Sequence, residues 1–279
     1  MEKIILAIDA LKLDINALDF ACYIGRLTKS KITGAFLENY ETAERPLLNQ
    51  MLVMNSIDIP LEEASVGREA RQELIEKNIL FFKESCISKG INFSLHRDRG
   101  NPATELAEES RYADLLIASA GISFHKPSEG SLTEFVREVL KNAECPVIIA
   151  PEKFEAVDQV IFTYDGTASS VFAIKQFTYL FPQLGDKKVT IIQVNDEGKW
   201  QDPDKYKFKE WLKAHYIDMH FEALKGETDT ELFSYLLKRE NIFIVMGAYG
   251  RNSISRFFKH SHADLLIKTV TQPIFITHL

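Results

Sequence analysis

The sequence contains little cysteine and no long apolar run. Its 279 residues include Cys22, Cys86 and Cys145, an odd number of cysteines at scattered positions, which fits neither a disulfide framework nor a zinc module. No apolar run approaches the roughly 18 residues of a membrane span. The short apolar run near the N-terminus ends at Asp9, which argues against a signal peptide. We therefore expect a soluble, cytoplasmic protein without a metal site.

Positive charge is also in short supply. Lys and Arg total 33 against 40 for Asp and Glu, which gives a formal net charge of −7. Nucleic acids and anionic membrane surfaces attract proteins through clustered basic residues. We therefore expect neither nucleic acid nor membrane among the partners. A basic and aromatic run, Lys205–Trp211, alternates with acids and is more typical of a solvated helix face.

The chain repeats one pattern twice. Lys3–Asp9 is a short apolar run that ends in an aspartate, and Gln159–Asp165 has the same form. Runs of this kind, rich in Ile and Val, are typical of buried parallel strands. Five such runs alternate with helical periodicity in each half, which predicts βαβ units with right-handed crossovers. The predicted fold class is α/β, with two tandem doubly wound parallel five-stranded sheets flanked by helices.

The repeat divides the chain into predicted domains of residues 1–152 and 153–279. At roughly 150 residues per domain, the length agrees with two domains. The first is longer because it carries an insertion at residues 40–70. Met51 and Met54 would suit a partner-binding arm, since methionine surfaces adapt to many shapes. A locally packed connection is the simpler interpretation of the same segment.

A long helix is predicted directly after the insertion, over Arg71–Lys89. Its apolar positions recur at helical spacing, at Ile75, Ile79, Phe82 and Cys86. This spacing predicts an amphipathic helix with one apolar face.

Ligands of doubly wound sheets bind beyond the carboxyl ends of the strands, where the strand order reverses. Asp9 and Asp165 lie at this position, at the end of the first strand of each half. An aspartate there can accept hydrogen bonds from a nucleoside. It can equally form the turn or the cap of the next helix, and both interpretations stay open.

The strongest local signal follows the fourth strand of the second half, over residues 246–261. Gly247 and Gly250 would let the backbone approach a phosphate closely. A helix that begins at Ser261 would supply oriented N–H groups, and Arg251 would add charge-assisted contacts. This combination indicates a nucleotide-binding loop.

The strand order, the two aspartates, the Gln193–Asp196 stretch and this loop resemble the universal stress protein family over almost the whole chain, as two tandem copies. In nucleotide-binding members of that family the loop has Gly, two residues, Gly, nine residues, Gly and then Ser or Thr. Gly247, Gly250 and Ser261 match this pattern, whereas His260 stands in place of the third glycine. The imidazole adds bulk where a phosphate would approach, although it could also donate a hydrogen bond.

The resemblance implies that ATP or AMP binds in the second half, where Asp165 and the backbone of Val194 would meet the nucleoside. It also implies a cytoplasmic stress-response binding or regulatory module. The alternatives are a slow ATP-hydrolysing or nucleotidyl-transferring enzyme, and a purely protein-binding module without nucleotide. No general base or metal carboxylate is visible beside Gly247, so no catalytic residue is predicted and the enzyme is less favoured.

The first half departs further from the family pattern. Aligned without gaps from Pro146, the counterparts of the four loop residues 247, 250, 260 and 261 are Ala120, Ser123, Thr133 and Glu134. A gapped alignment uses Gly121 and Gly130–Ser131 instead, and Ser131 with Glu134 also has the pattern of a capping box. Glu134 would place a carboxylate where phosphates should lie, which is repulsive. We therefore predict that the first half has lost the nucleotide site.

Each half closes on a fifth apolar strand, at Pro146–Ala150 and Pro273–Thr277. The resemblance implies that the two domains pair pseudo-symmetrically through these strands. Such pairing would also cover two apolar edges that otherwise invite aggregation. A monomer with this intramolecular pseudo-dimer and a homodimer are both compatible with the sequence.

Overall fold

The computed structural model describes residues 1–39, 61–124, 133–200, 202–247 and 272–277. Several predicted residues lie outside the described ranges: Met51, Met54, Gly250, Arg251, His260 and Ser261. What the sequence predicts for these residues stays a prediction.

Strands and helices alternate along the described ranges. The strands are β1 (Lys3–Asp9), β2 (Lys31–Asn39), β3 (Phe93–Gly100), β4 (Leu115–Ser119), β5 (Val147–Ala150), β6 (Gln159–Thr163), β7 (Lys188–Asn195), β8 (Met219–Lys225), β9 (Ile242–Gly247) and β10 (Ile274–Thr277). The helices are α1 (Ile15–Thr28), α2 (Leu61–Ser88), α3 (Pro102–Ser110), α4 (Glu134–Asn142), α5 (Ala168–Leu180), α6 (Asp202–Leu212) and α7 (Thr228–Leu236).

The strands form one continuous sheet in the order β3, β2, β1, β4, β5, β10, β9, β6, β7, β8. Neighbours are parallel except β5 and β10, which are antiparallel, with Phe275 opposite Ile148. Each half therefore has the same strand order, and a pseudo-two-fold axis runs between β5 and β10. The predicted fold class and the predicted pairing of the fifth strands are confirmed, while the domain boundary at residues 152 and 153 stays a prediction.

Two apolar layers cover the two faces of this sheet. One lies under α1, α2, α5 and α6 and is rich in buried phenylalanine, and the other lies under α3, α4 and α7 and is mostly aliphatic. Aromatic contacts in the first layer cross from one half to the other, since the Phe20 and Phe243 ring centroids are 6.3 Å apart. The strands are buried on both faces because helices lie on both, which explains their continuous apolar runs.

Helix α2 begins at Leu61, before the predicted start at Arg71. The Leu-Glu-Glu-Ala sequence at its start consists of good helix formers, and its acids favour the N-terminal end of the helix dipole. The apolar face is the one predicted: Ile75 and Phe82 are buried against the sheet together with Ile79 and Cys86.

The start of α4 differs from the sequence prediction. Thr133 is the N-cap, and its hydroxyl accepts a hydrogen bond from the N–H of Val136 at 3.2 Å and donates one to the carbonyl of Ile122 at 2.6 Å. The capping box predicted for Ser131 and Glu134 is therefore wrong, because Glu134 is the first helical residue and Thr133 already supplies the cap.

Candidate functional site

The candidate site lies at the carboxyl ends of β7, β6 and β9, which are neighbours in the sheet. The connections leave β6 in one direction and β9 in the other, so the strand order reverses between them and opens a crevice. Asp165 follows β6, Val194 lies in β7, and Gly247 ends β9. The structure thus brings these three predicted residues to one edge of the sheet, while Gly250, Arg251 and Ser261 lie outside the described residues.

Asp165 shapes the turn between β6 and α5. Its Oδ1 accepts hydrogen bonds from the N–H and the hydroxyl of Thr167, at 2.9 and 2.7 Å. Gly166 in this turn has a φ of +83°, a conformation that favours glycine. Thr167 then caps α5 by accepting a hydrogen bond from the N–H of Ser170. Asp165 therefore forms the turn, the helix cap is Thr167, and the Asp165 side chain stays exposed.

Asp9 occupies the corresponding position in the first half, but its environment is different. Its Oδ1 accepts a hydrogen bond from the N–H of Leu11 at 2.9 Å, and Asp14, not Asp9, caps α1. Burial raises the pKa of the Asp9 carboxyl above its ordinary value. Desolvation of this kind disfavours the ionised form of a carboxyl group.

The backbone groups of Val194 are directed toward β6. The N–H of Tyr164 donates to the carbonyl of Ile192 at 2.8 Å, and the carbonyl of Asn195 accepts from Gly226 on the β8 side. Because neighbouring residues of a strand direct their backbone groups to opposite sides, the N–H and C=O of Val194 point toward β6. The chain has already turned away from β7 at Gly166, and no hydrogen bond joins Val194 to that turn in the described ranges.

The equivalent backbone groups in the first half are occupied. If the register of β6 and β7 were continued by two residues, Asp165 would lie opposite Val194. In the first half, Asp9 of β1 lies opposite Leu37 of β2 in the same way. There, however, the strand pairing continues to its end, and the N–H of Ala10 donates to the carbonyl of Leu37 at 3.1 Å. The first half therefore offers no open backbone edge at this position.

Gly247 is required by helix packing. A Cβ at this position would lie 2.6 Å from the carbonyl oxygen of Ser169 and 2.7 Å from the N of Ser170, closer than any carbon side chain can approach backbone. The first turn of α5 therefore packs directly against the end of β9. From the sequence, we expected this glycine to allow a phosphate to approach the backbone. The contact with α5 is by itself sufficient to require glycine at this position.

The sheet also corrects the alignment of the two loops. Gly247 stands opposite Thr277, and Ser119 stands opposite Ala150 in the same way. The counterpart of Gly247 is therefore Ser119, and Ala120 is wrong by one position. The ungapped alignment failed because the connection from β4 to β5 is one residue longer than that from β9 to β10.

An open cleft of about 400 Å³ lies beside the turn of Asp165. Tyr164 forms part of its wall and is stacked between Trp200 and Phe208, with ring centroids at 5.4 and 5.2 Å and planes inclined by 17°. Phe172 and Lys175 of α5 complete this side. Tyr164, Phe172 and Lys175 were not predicted from the sequence, although Tyr164 stands directly before Asp165 and the other two lie in the first eight residues of α5.

A smaller cleft of about 220 Å³ occupies the corresponding place in the first half. Asp9, Glu38 and Arg71 contribute charged groups to it, and Glu38 accepts a hydrogen bond from Nε of Arg97 at 2.7 Å. The first half has therefore kept a concave surface at the carboxyl end of its sheet. Its lining carries two carboxylates and one guanidinium, whereas the lining of the second-half cleft carries Lys175.

In the described ranges no group of three or more His, Cys, Asp or Glu side chains has the arrangement of a metal site. None of the helices in these ranges is both long and apolar enough to cross a membrane.

Solved structures with a similar fold cover almost the whole length of this chain. A protein of Archaeoglobus fulgidus that is a universal stress protein superposes with a TM-score of 0.69 at 19% identity, covering 99% of this chain and 96% of that one. The chain has the tandem universal stress protein fold. A Pseudomonas aeruginosa protein assigned to the universal stress proteins superposes with a TM-score of 0.56 at 14% identity, and the match covers 100% of this chain and 93% of that one.

Sequence comparison agrees with the tandem universal stress protein fold. The universal stress protein Slr1230 of Synechocystis is 22% identical over 165 residues, which is 58% of this chain and 56% of that protein. The match thus spans little more than half of that relative's length. No protein-family model matches the chain. The predicted resemblance to the universal stress proteins is confirmed.

Proposed function

We propose that this chain is a stress-response binding module that holds one adenine nucleotide, ATP or AMP, in its second half. The observation that supports it best is the open backbone of Val194 beside Asp165. Adenine carries an amino donor next to a ring-nitrogen acceptor, and a strand residue whose C=O and N–H both face a cleft offers the complementary pair.

Asp165 supports the same proposal. One carboxylate oxygen, Oδ1, already accepts both hydrogen bonds from Thr167. The other oxygen of this exposed side chain is therefore placed to accept a hydrogen bond from a ribose hydroxyl. The side chains of Val171 and Phe172 would flank the nucleoside with apolar surface.

The phosphates would be held by the loop after β9. Gly250, Arg251 and Ser261 carry this part of the proposal by resemblance alone, and His260 limits the room for a triphosphate. We also propose a binding role rather than catalysis, because the sequence places no general base or metal carboxylate beside Gly247. A cytoplasmic location belongs to the same proposal, and cell fractionation tests it.

Calorimetric titration with ATP and with AMP tests the nucleotide site. We expect one nucleotide per chain, and a loss of about tenfold in affinity in Asp165→Asn. Asparagine keeps the oxygen that accepts from Thr167, so the turn survives and only the contact with ribose is lost. The matched control is Asp9→Asn in the first half, which should leave affinity unchanged.

Other outcomes would contradict the proposal. Two nucleotides per chain, or equal losses in Asp165→Asn and Asp9→Asn, would show that the halves are not distinguished as we propose. Absence of binding would favour a purely protein-binding module. Phosphate release that falls in Asp165→Asn would favour the enzyme instead.

A further inference from the structure

The outer face of α2 exposes an unusual amount of apolar surface. Leu74, Leu80, Phe81 and Ile87 are 41%, 55%, 40% and 67% exposed. The opposite face of the same helix is buried against the sheet. Helix α2 is therefore apolar on two sides, whereas a surface helix normally has one apolar stripe.

These residues form ordered ridges along the helix. Residues seven apart differ by only about 20° around a helix axis, so Leu74 lies in line with Phe81, and Leu80 lies in line with Ile87. Lys77 and Glu84 form a third ridge between these two and are exposed. The result is a flat face about 20 Å long, at 1.5 Å per residue, with apolar ridges on both sides of a charged one.

We propose that this face, the α2 face, binds the α2 face of a second copy of the chain in antiparallel orientation. A two-fold axis between residues 80 and 81 places each residue of one helix opposite a defined residue of the other. This axis keeps each ridge on its own side of the interface, so Phe81 meets Phe81 of the second copy on one side and Leu80 meets Leu80 on the other. The apolar side chains nearest the axis are thus matched by their own copies, as a self-complementary two-fold interface allows.

The charges follow the same symmetry. The axis that brings Phe81 and Leu80 against their own copies also places Lys77 of one copy opposite Glu84 of the other, twice per dimer. In the described ranges neither residue has an ion pair within its own chain, so both charges are available. A parallel arrangement in register would instead set Lys77 against Lys77 and Glu84 against Glu84, which is repulsive. Charge complementarity therefore selects the antiparallel dimer.

The size of the α2 face predicts a weak dimer. Two helices in contact over about 20 Å bury less surface than the 1,200 Å² or more of a stable complex. Central ion pairs contribute orientation more than affinity, because removing them from water is costly. We expect a monomer–dimer equilibrium that depends on protein concentration in the micromolar range or above.

Sedimentation equilibrium of the full chain over a range of concentrations tests the proposal. We expect a reversible dimer whose dissociation constant rises at least tenfold in Leu80→Glu and in Phe81→Glu. The matched control is Ile217→Glu, a change at a 90% exposed apolar residue outside the α2 face, which should leave the equilibrium unchanged. A monomer at every concentration would overturn the proposal and would agree with residues 40–60 covering the face. A dimer that survives both α2 substitutions would also overturn it.

Charge exchange tests the antiparallel register. Lys77→Glu alone and Glu84→Lys alone should each weaken the dimer, because each sets like charges against each other. The double variant Lys77→Glu/Glu84→Lys should restore it, since every pair is again of opposite sign. Failure of the double variant to recover would overturn the register. Circular dichroism of each variant separates loss of association from loss of folding.

Discussion

The two halves of the chain share one strand order and differ in the backbone at their clefts. In the first half, pairing of β1 with β2 continues to Asp9 and Leu37, and Ala10 occupies the Leu37 carbonyl. In the second half, pairing of β6 with β7 ends at Thr163 and Ile192, and the backbone of Val194 has no partner from β6 in the described ranges. A repeated fold can thus close or open a ligand edge by the length of one strand pair, with no change in the order of its strands.

The largest effect that we expect is a loss of stability at the contact between α5 and the end of β9, a contact that distinguishes the second half from the first. Gly247→Ala should destabilise the protein by about 1–3 kcal/mol, because the new Cβ would overlap the backbone of Ser169. Each kcal/mol corresponds to a fall of roughly 2–4 °C in Tm for a chain of this size. Ser119→Ala, at the equivalent position of the first half, should change stability by less than about 0.5 kcal/mol. Thermal unfolding that gives equal losses for the two variants would contradict this packing asymmetry.

A smaller effect tests the loop of the second half. His260→Gly should tighten ATP binding by up to about fivefold, because it removes side-chain bulk and any backbone strain at a position where the family has glycine. Calorimetric titration beside the wild type measures the change. Unchanged affinity would mean that the imidazole does not lie near the phosphates.

The smallest effect that we expect is the pH dependence of stability caused by Asp9. Burial raises the pKa of Asp9, so the contribution of its protonated form to stability is present at low pH and is lost as pH rises through that raised pKa. Asp9→Asn removes the buried charge and keeps the acceptor for Leu11. Its Tm should therefore be slightly above that of the wild type at pH 7, with the difference vanishing as pH falls toward 3.8, the ordinary pKa of aspartate. A difference that is constant with pH would rule out this cause.

The fold could be predicted because its signals are local and occur twice. Apolar runs ending in Asp9 and Asp165 identify buried strands, and the apolar fifth strands indicate how the halves join. The candidate site could be predicted only in part. Whether the backbone N–H and C=O of Val194 are paired depends on where β6 diverges from β7. The turn at Gly166 sets this point, and no residue pattern specifies it. The need for glycine at position 247 depends on α5, which is distant in sequence.

The antiparallel pair of β5 and β10 has a consequence for how this protein can change. In a dimer of identical subunits every substitution is present in both clefts, so neither cleft can be altered without the other. Here one chain supplies both members of the pair, and each position is inherited separately. The first half can therefore acquire Ala10 on the Leu37 carbonyl and a desolvated Asp9 while the second half keeps its open strand edge. Because both copies belong to one chain, one cleft can diverge while the pair of β5 and β10 continues to join the two halves.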